Sequence, residues 1–229
     1  GDFYDVFPLE HGADGASAVG VVVCDVAGKG VASALVMSAT RTALRAEAER
    51  NPSPASVLTK VNATIAASIP QGLFVTIFYG IYDAGARTLR FASAGHPHPY
   101  RWKAAESRID ELESYGMPLG LLPDSEYDEA STSLDEGDFV VIYTDGLVEA
   151  LNAQREMFGF ESVAGHLLDD GPRRASAHDR LQVCLDAMRT FIGDERLHDD
   201  VTLVALARDE VVDLGGHDAP ERETWAIRG

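Results

Sequence analysis

Two aspartates occupy the same place in two separate apolar segments of the sequence. Asp25 follows the apolar segment 18–24 and precedes a glycine-rich turn, and Asp145 follows the segment 139–144 and precedes Gly146. Apolar, β-branched segments of this length predict buried strands, and the glycines predict tight turns. A carboxylate at the end of a rigid strand is held at a fixed position, which suits it to binding a cation.

Two further acidic positions border apolar segments. The chain opens with Gly1-Asp2-Phe3-Tyr4-Asp5, and Asp199-Asp200 immediately precede the apolar segment 201–207. A single aspartate beside a strand is most often a turn residue. The repetition changes this interpretation, because the four carboxylates would converge if their strands are neighbours.

Composition narrows the class of protein. The chain has 229 residues, 45% of them apolar, and a formal net charge of −18. That length suits one large or two small domains, and the negative charge argues against nucleic acid or an anionic membrane as a partner. The two cysteines, Cys24 and Cys184, give no disulfide framework, so we expect a reducing cytoplasm, with Cys24 in the core. No membrane-spanning segment or signal peptide is visible.

The periodicity of the sequence predicts an α+β fold. Helices are expected at 32–50, 54–69, 159–168 and 175–192, and the clearest strands at 18–25, 74–82, 88–94, 138–143 and 201–207. Hairpins and helix pairs favour two sheets covered by helix pairs over a doubly wound parallel sheet. We expect one domain over 1–208, excised from a longer chain, and a polar tail over 209–229.

With these motifs in order, the sequence resembles the PPM-type (type 2C) metal-dependent serine/threonine phosphatases, in the bacterial SpoIIE/RsbU branch. The motifs that carry the resemblance cover about 1–208 and are Gly1-Asp2-Phe3-Tyr4-Asp5, Asp25-Val26-Ala27-Gly28-Lys29-Gly30, Phe74-Val75-Thr76, Ser93-Ala94-Gly95-His96-Pro97, Pro118-Leu119-Gly120, Tyr143-Thr144-Asp145-Gly146 and Asp199-Asp200-Val201-Thr202. Each motif is weak alone, and their shared order is specific.

The resemblance implies a four-layer α-β-β-α sandwich with two central antiparallel sheets and a centre of two Mn²⁺ or Mg²⁺ ions. The implied metal ligands are Asp2, Asp25, the backbone carbonyl of Val26, Asp145 and Asp199. Asp25 would bridge the ions, and Asp25 and Asp145 would act in catalysis through a metal-bound water. Oxygen donors suit these hard cations, and such a pair can activate water for phosphate hydrolysis.

Some positions leave alternatives open. Asp5 is the alternative to Asp2 as metal ligand, and Asp200 is the alternative to Asp199. In each pair, the residue that does not bind the metal would support the one that does. The chain lacks the first glycine of the opening motif and its strand, so we expect Asp2 to be weakly held. Three side chains near the motifs are interpreted as loop or surface residues rather than ligands: Lys29, His96 and His198.

The implied function is removal of phosphate from phosphoserine or phosphothreonine on a partner protein, by family analogy an anti-sigma-factor antagonist. Upstream sensory or receiver domains would control it, often through dimerisation. Two other interpretations remain: a catalytically silent regulatory domain of the same fold, and a hydrolase of a small phosphorylated molecule.

Overall fold

The computed structural model describes residues 1–10, 18–168, 176–207, 210–216 and 224–225. The chain divides into two compact units. Unit 1 comprises Gly1–His98 and Glu113–Ser133, and unit 2 comprises Pro99–Leu112 and Leu134–Gly229. None of the helices in the described ranges is both long and apolar enough to cross a bilayer.

Unit 1 contains a five-stranded antiparallel sheet in the order β1-β2-β3-β4-β7. Its strands are β1 (Phe3–Leu9), β2 (Ala18–Val26), β3 (Val75–Asp83), β4 (Thr88–Ala94) and β7 (Ala130–Ser133). β2 pairs with β1 on one side and β3 on the other. Every residue of β2 is buried except Asp25, which is partly exposed. The apolar composition of β2 therefore fixes the strand and leaves one polar side chain near its end.

Two helices cover the sheet of unit 1. They are α1 (Val31–Ala48), which packs against β2, and α2 (Pro54–Ala66), which packs against β3 and β4. α2 begins as its sequence predicts, because the Ser53 hydroxyl accepts from the Ser56 amide and Pro54 needs no donor there. The apolar face of α2 is buried.

A buried carboxylate ties β1 to α1. Both oxygens of Asp5 accept from Arg45, at 2.6 Å each, and Arg41 donates a third bond at 2.9 Å. The Arg45 guanidinium also lies 4.7 Å from the centre of the Phe7 ring. Burial acts to raise the pKa of Asp5, but the hydrogen bonds and charges of Arg45 and Arg41 outweigh it and lower that pKa.

Unit 2 contains a six-stranded antiparallel sheet in the order β11-β10-β9-β8-β5-β6. Its strands are β5 (Tyr100–Lys103), β6 (Arg108–Glu111), β8 (Phe139–Tyr143), β9 (Val201–Ala207), β10 (Glu210–Gly216) and β11 (Thr224–Trp225). Its helices are α3 (Asp145–Val148), α4 (Phe160–Leu168) and α5 (Ala177–Ile192). β8, the strand that leads to Asp145, is buried along its whole length.

α4 and α5 pack against the sheet of unit 2. α5 begins with a capping box, in which Ser176 and Asp179 each accept a hydrogen bond from the other's backbone amide. Inside α5, Arg180 donates to the Leu167 carbonyl at 3.0 Å and lies 4.3 Å from the centre of the Trp102 ring. This one side chain joins both helices to the sheet.

The expected α+β class, with two antiparallel sheets and their helix pairs, is confirmed. Both cysteines are free and buried. β1 begins directly after Asp2 and pairs along β2. The sequence patterns do not predict the short helix α3.

The region expected to be a tail also differs, because β10 pairs with β9 along its whole length. Two adjacent valines and Leu214 suit a strand, and the edge of β9 offers unpaired backbone groups. The expected domain boundary at 208–209 and the stretches 217–223 and 226–229 lie outside the described residues.

Replacing Asp5 with asparagine tests the tie between β1 and α1. The neutral amide cannot form the charge-assisted bonds, so we expect the free energy of unfolding at neutral pH to fall by about 1–3 kcal/mol. Because the folded-state pKa of Asp5 is lowered, its contribution is present above the ordinary carboxyl pKa and is lost as pH falls. The two proteins should therefore converge in stability at acid pH.

Urea unfolding of the parent, Asp5→Asn and the exposed-site control Asp124→Asn, at neutral and acid pH, makes this measurement. An equal loss for Asp5→Asn at both pH values would contradict the ion-pair account.

Candidate functional site

In unit 1, Asp25 lies within a hydrogen-bonded sheet. It pairs with Thr76 of β3, and the next residue, Val26, pairs with Val75. The pairing extends past the strand, because the Ala27 amide donates to the Phe74 carbonyl at 3.0 Å. The carboxylate is therefore carried by backbone that is fixed on both sides of it.

The backbone before Asp2 lies directly against Asp25 and Val26. A methyl group built on Gly1 would be 2.5 Å from the Val26 carbonyl oxygen and 2.8 Å from Oδ1 of Asp25. The pKa of the buried Cys24 thiol is raised by burial first and then by the negative charges of Asp25 and Asp2. Three of the predicted ligand groups, Asp2, Asp25 and the Val26 carbonyl, are thus brought together.

The turn after Asp25 requires glycine. Gly28 and Gly30 have φ angles of 89° and 91°, in the left-handed region that disfavours side chains. Ser33, in the first turn of α1, donates to the Ala27 carbonyl at 3.3 Å. Lys29 is exposed between the two glycines. The turn is therefore anchored to the helix that follows it.

Asp5 has a different environment from Asp2. Its side chain is only 7% exposed, and both carboxylate oxygens accept hydrogen bonds from arginines of α1. Binding a cation there would require these bonds to break. The geometry gives Asp5 a positioning role for β1 and leaves Asp2 as the candidate ligand of the opening motif.

In unit 2, two threonines join the end of β8 to the start of β9. The Thr144 amide donates to the Thr202 carbonyl at 3.1 Å, and the Thr202 amide donates to the Thr144 hydroxyl at 3.0 Å. Gly146 is in contact with the carbonyl oxygen of Asp200, where a side chain would not fit. The backbone around Asp145 is therefore packed directly on the backbone that carries Asp199.

The charge of Asp199 acts on Asp145. Burial raises the pKa of Asp145, and the nearby charge of Asp199 raises it further, against the lowering effect of backbone amides. Asp199 also accepts from the amide of Asp200, at 3.0 Å. Of the two alternatives left open by the sequence, Asp199 has a charge that acts on Asp145.

Glu149 is a third carboxylate at this place that the sequence did not reveal. Its pKa is raised by burial, then by the charges of Asp145 and Asp199. It follows Asp145 by four residues, the spacing that puts two side chains on one face of a helix. That signal becomes useful only once α3 is known to be helical.

The histidine of the Ser93–Pro97 motif is buried and shapes a turn. A ring nitrogen of His96 lies 3.4 Å from the Thr76 hydroxyl, and Ser93 bonds both the amide and the carbonyl of His96. Thr76 in turn pairs with Asp25 across the sheet. His96 thus supports the strand beside Asp25.

The donor chemistry suits a hard divalent cation. The groups brought together in unit 1 are all oxygen donors. In unit 2, the pKa of Asp145 is raised by burial first and then by the charge of Asp199, a repulsion that a bound cation would relieve. In the described ranges, no group of three or more His, Cys, Asp or Glu side chains is arranged to hold a metal ion. In unit 2, the charges of Asp145 and Asp199 raise the pKa of nearby carboxylates without the side chains forming such a group.

Comparison with known proteins identifies the family. The sequence profile described as "Stage II sporulation protein E (SpoIIE)" matches residues 15–209. The chain belongs to the SpoIIE family. The resemblance to PPM-type phosphatases of the SpoIIE/RsbU branch is thereby confirmed.

Three proteins similar to this SpoIIE-family chain illustrate the relationship. "Phosphoserine phosphatase RsbU" of Bacillus subtilis is 29% identical over 91% of this chain and 59% of its own length. The solved SiaA-PP2C domain of Pseudomonas aeruginosa is 23% identical, covers 90% of this chain and 79% of its own, and has a TM-score of 0.74. A structure of RsbX in complex with magnesium is 15% identical, with 89% and 85% covered and a TM-score of 0.61. The chain spans less than two thirds of the length of the curated relatives that it matches.

The contact at Gly146 predicts that Gly146→Ala is destabilising. A methyl group there would force the start of β9 away from α3, so we expect a loss of about 1–3 kcal/mol in the free energy of unfolding. The matched control is Gly165→Ala in α4, where an added methyl group meets nothing within 4 Å. The control should stabilise by about 0.5–1 kcal/mol. Urea unfolding measures both, and equal effects would contradict the packing described.

The repulsion between Asp145 and Asp199 predicts opposite effects of Asp199→Asn with and without metal. Without metal, loss of the repulsion should raise the melting temperature by about 1–3 °C. With Mn²⁺, loss of a predicted ligand should weaken Mn²⁺ binding about 10–100-fold. Calorimetric melting and Mn²⁺ titration, with exposed-site control Asp194→Asn, make these measurements. Unchanged Mn²⁺ affinity would show that Asp199 is not a ligand.

Proposed function

We propose that this chain is a metal-dependent serine/threonine protein phosphatase that hydrolyses phosphoserine or phosphothreonine on a partner protein. The observation that carries the proposal is the grouping of carboxylates, in each unit, at the end of a buried strand: Asp2 with Asp25 in unit 1, and Asp145 with Asp199 in unit 2. Family membership and the relationship to RsbU support the same reaction.

The proposed metal ligands are Asp2, Asp25, the Val26 carbonyl, Asp145 and Asp199, which would hold two Mn²⁺ or Mg²⁺ ions. The magnesium complex of RsbX, a protein of similar fold, supports this choice of cation. When bound, such ions lower the pKa of a shared water and clamp the phosphate in line with it. No side-chain nucleophile is required, and neither cysteine offers one, because burial raises the pKa of both thiols.

The remaining residues act by positioning. Thr144 and Thr202 hold Asp145 in register with Asp199, and the Asp25 turn is anchored by Ser33. Glu149 adds negative charge beside Asp145 and Asp199, which strengthens the attraction for cations. The chain's own contribution is thus a fixed set of oxygen donors with accumulated negative charge.

The proposed substrate is a phosphorylated anti-sigma-factor antagonist in the cytoplasm. The SpoIIE/RsbU branch supports this class of partner, and an upstream sensory or receiver domain and homodimerisation are the proposed means of control. The strongly negative net charge of the chain makes nucleic acid an unfavourable partner.

Hydrolysis of an aryl phosphate, with Mn²⁺ and then with chelator, tests the proposal. We expect turnover only with metal, and a loss of at least roughly 100-fold in Asp25→Asn and in Asp145→Asn, because each removes a charged metal ligand. The controls Asp124→Asn and Asp194→Asn alter exposed carboxylates in the same two units and should retain activity.

Substrate class is tested by comparing free phosphoserine with a phosphorylated anti-sigma-factor antagonist, and we expect the protein to be preferred. Preference for free phosphoserine would indicate a small-molecule hydrolase. Mn²⁺ binding without turnover of any substrate would indicate a silent regulatory domain.

A further inference from the structure

The loop at 113–126 in unit 1 exposes large apolar side chains. Their exposed fractions are 58% for Tyr115, 47% for Met117, 44% for Leu121 and 54% for Leu122. Four such residues within eight positions are unusual on a soluble surface, where apolar side chains are normally scattered. A grouped set of this kind marks an interaction surface.

This exposure is not a result of a loosely held loop. Asn62, fully buried in α2, donates to the carbonyls of Leu122 and Pro123 at 2.8 and 3.1 Å, and its Oδ1 accepts from the Gly120 amide at 2.9 Å. One side-chain amide thus forms three hydrogen bonds to the backbone of the loop. The exposed leucines extend from backbone that is fixed to a helix.

The first half of the loop is held equally firmly. The Ser114 hydroxyl accepts from the Ser93 amide at 3.0 Å and donates to the Asp128 carbonyl at 2.9 Å. Gly116 lies against the Tyr127 ring, where a side chain would not fit. The apolar side chains are therefore presented on a rigid scaffold, which limits the entropy lost on binding a partner.

The loop lies beside the strand end that carries Asp25. Leu119 exchanges two backbone hydrogen bonds with Val75, at 3.0 and 2.8 Å, and Val75 pairs with Val26 on its other side. Neighbouring strands are about 4.8 Å apart, so the Leu119 backbone lies roughly 10 Å from that of Val26. A protein that presents a side chain to Asp25 and Val26 would also contact this loop.

The charge of the loop specifies the partner further. Glu113, Asp124 and Glu126 are exposed, and the segment 113–126 contains neither lysine nor arginine. The loop thus combines exposed apolar side chains with exposed carboxylates, which is complementary to a surface that combines apolar and basic residues.

We propose that the loop at 113–126 is the docking surface for the phosphorylated protein, and that it selects a phosphoserine flanked by large apolar and basic residues. The proposal rests on the proposed phosphatase function. It adds a determinant of substrate choice that is separate from the metal-binding carboxylates.

Two synthetic phosphoserine peptides test the selection, one with leucine and lysine as flanking residues and the other with serine and glutamate in their place. We expect kcat/KM for the leucine-lysine peptide to be about tenfold higher, a difference of 1.4 kcal/mol. The double variant Leu121→Ser/Leu122→Ser should remove most of this preference. The double variant Asp124→Lys/Glu126→Lys should shift the preference toward the peptide with glutamate, because the charge of the loop is then reversed.

The matched control is Leu35→Ser, which alters an even more exposed leucine, on α1, and should keep the full preference. Aryl phosphate turnover should be equal in all variants, because none of them alters a proposed metal ligand. An equal preference in the parent and in Leu121→Ser/Leu122→Ser, or no preference in the parent, would overturn the docking proposal while leaving the phosphatase intact.

If the parent hydrolyses no aryl phosphate, the phosphatase proposal fails, and fluorescence anisotropy of labelled forms of the two peptides tests docking by itself. Tighter binding of the leucine-lysine peptide, lost in Leu121→Ser/Leu122→Ser, would support the docking surface. Equal binding of the two peptides would overturn it.

Discussion

The ion pair between Asp5 and the arginines of α1 is the constraint on which unit 1 depends. β1 begins directly after Asp2, and α1 begins directly after the turn that follows Asp25. The buried carboxylate of Asp5 joins β1 to α1, so that β1, β2, the turn after Asp25 and α1 are held together. The proposed oxygen donors of unit 1 belong to these elements or lie directly beside them. The ion pair thus supports the positions of these donors, together with the pairing of β2 with β3, without binding a cation itself.

In unit 2, neutral hydrogen bonds rather than an ion pair hold the strand ends that carry the carboxylates. The paired threonines at 144 and 202 connect two strand ends through neutral hydrogen bonds, and Gly146 allows the backbones to touch. The carboxylates of Asp145 and Asp199 are then close enough for one to raise the pKa of the other. The hydrogen bonds of the two threonines are neutral, and the charge of Asp199 adds to the effect of burial in raising the pKa of Asp145. Unit 1 thus joins β1 to α1 by an ion pair, whereas unit 2 joins β8 to β9 by neutral hydrogen bonds beside two carboxylates that repel each other.

Much of this arrangement can be predicted from local patterns in the sequence. β2 and β8 are apolar strands with an aspartate at or just past the end, so their type and burial follow from composition alone. The features that local patterns do not predict are either very short or depend on contacts between residues far apart in the sequence. α3 has four residues, too few to show a helical period, and Glu149 is informative only once α3 is known. β10 is a strand because the edge of β9 accepts it. The role of Asp5 depends on arginines about forty residues away that face it only after α1 has packed.

The bonds that hold the loop at 113–126 determine which of its residues can be exchanged without disturbing the fold. Leu119 and Val75 are joined by two backbone hydrogen bonds, and the hydrogen bonds of the Asn62 side chain also go to backbone atoms of the loop. Neither set of bonds depends on which side chains stand at 115, 117, 121 and 122. Substitutions at those four positions would therefore leave the strand beside Asp25 in place. If the proposed docking holds, exchanging a few surface residues would redirect the domain to another phosphoprotein without rebuilding the proposed metal centre.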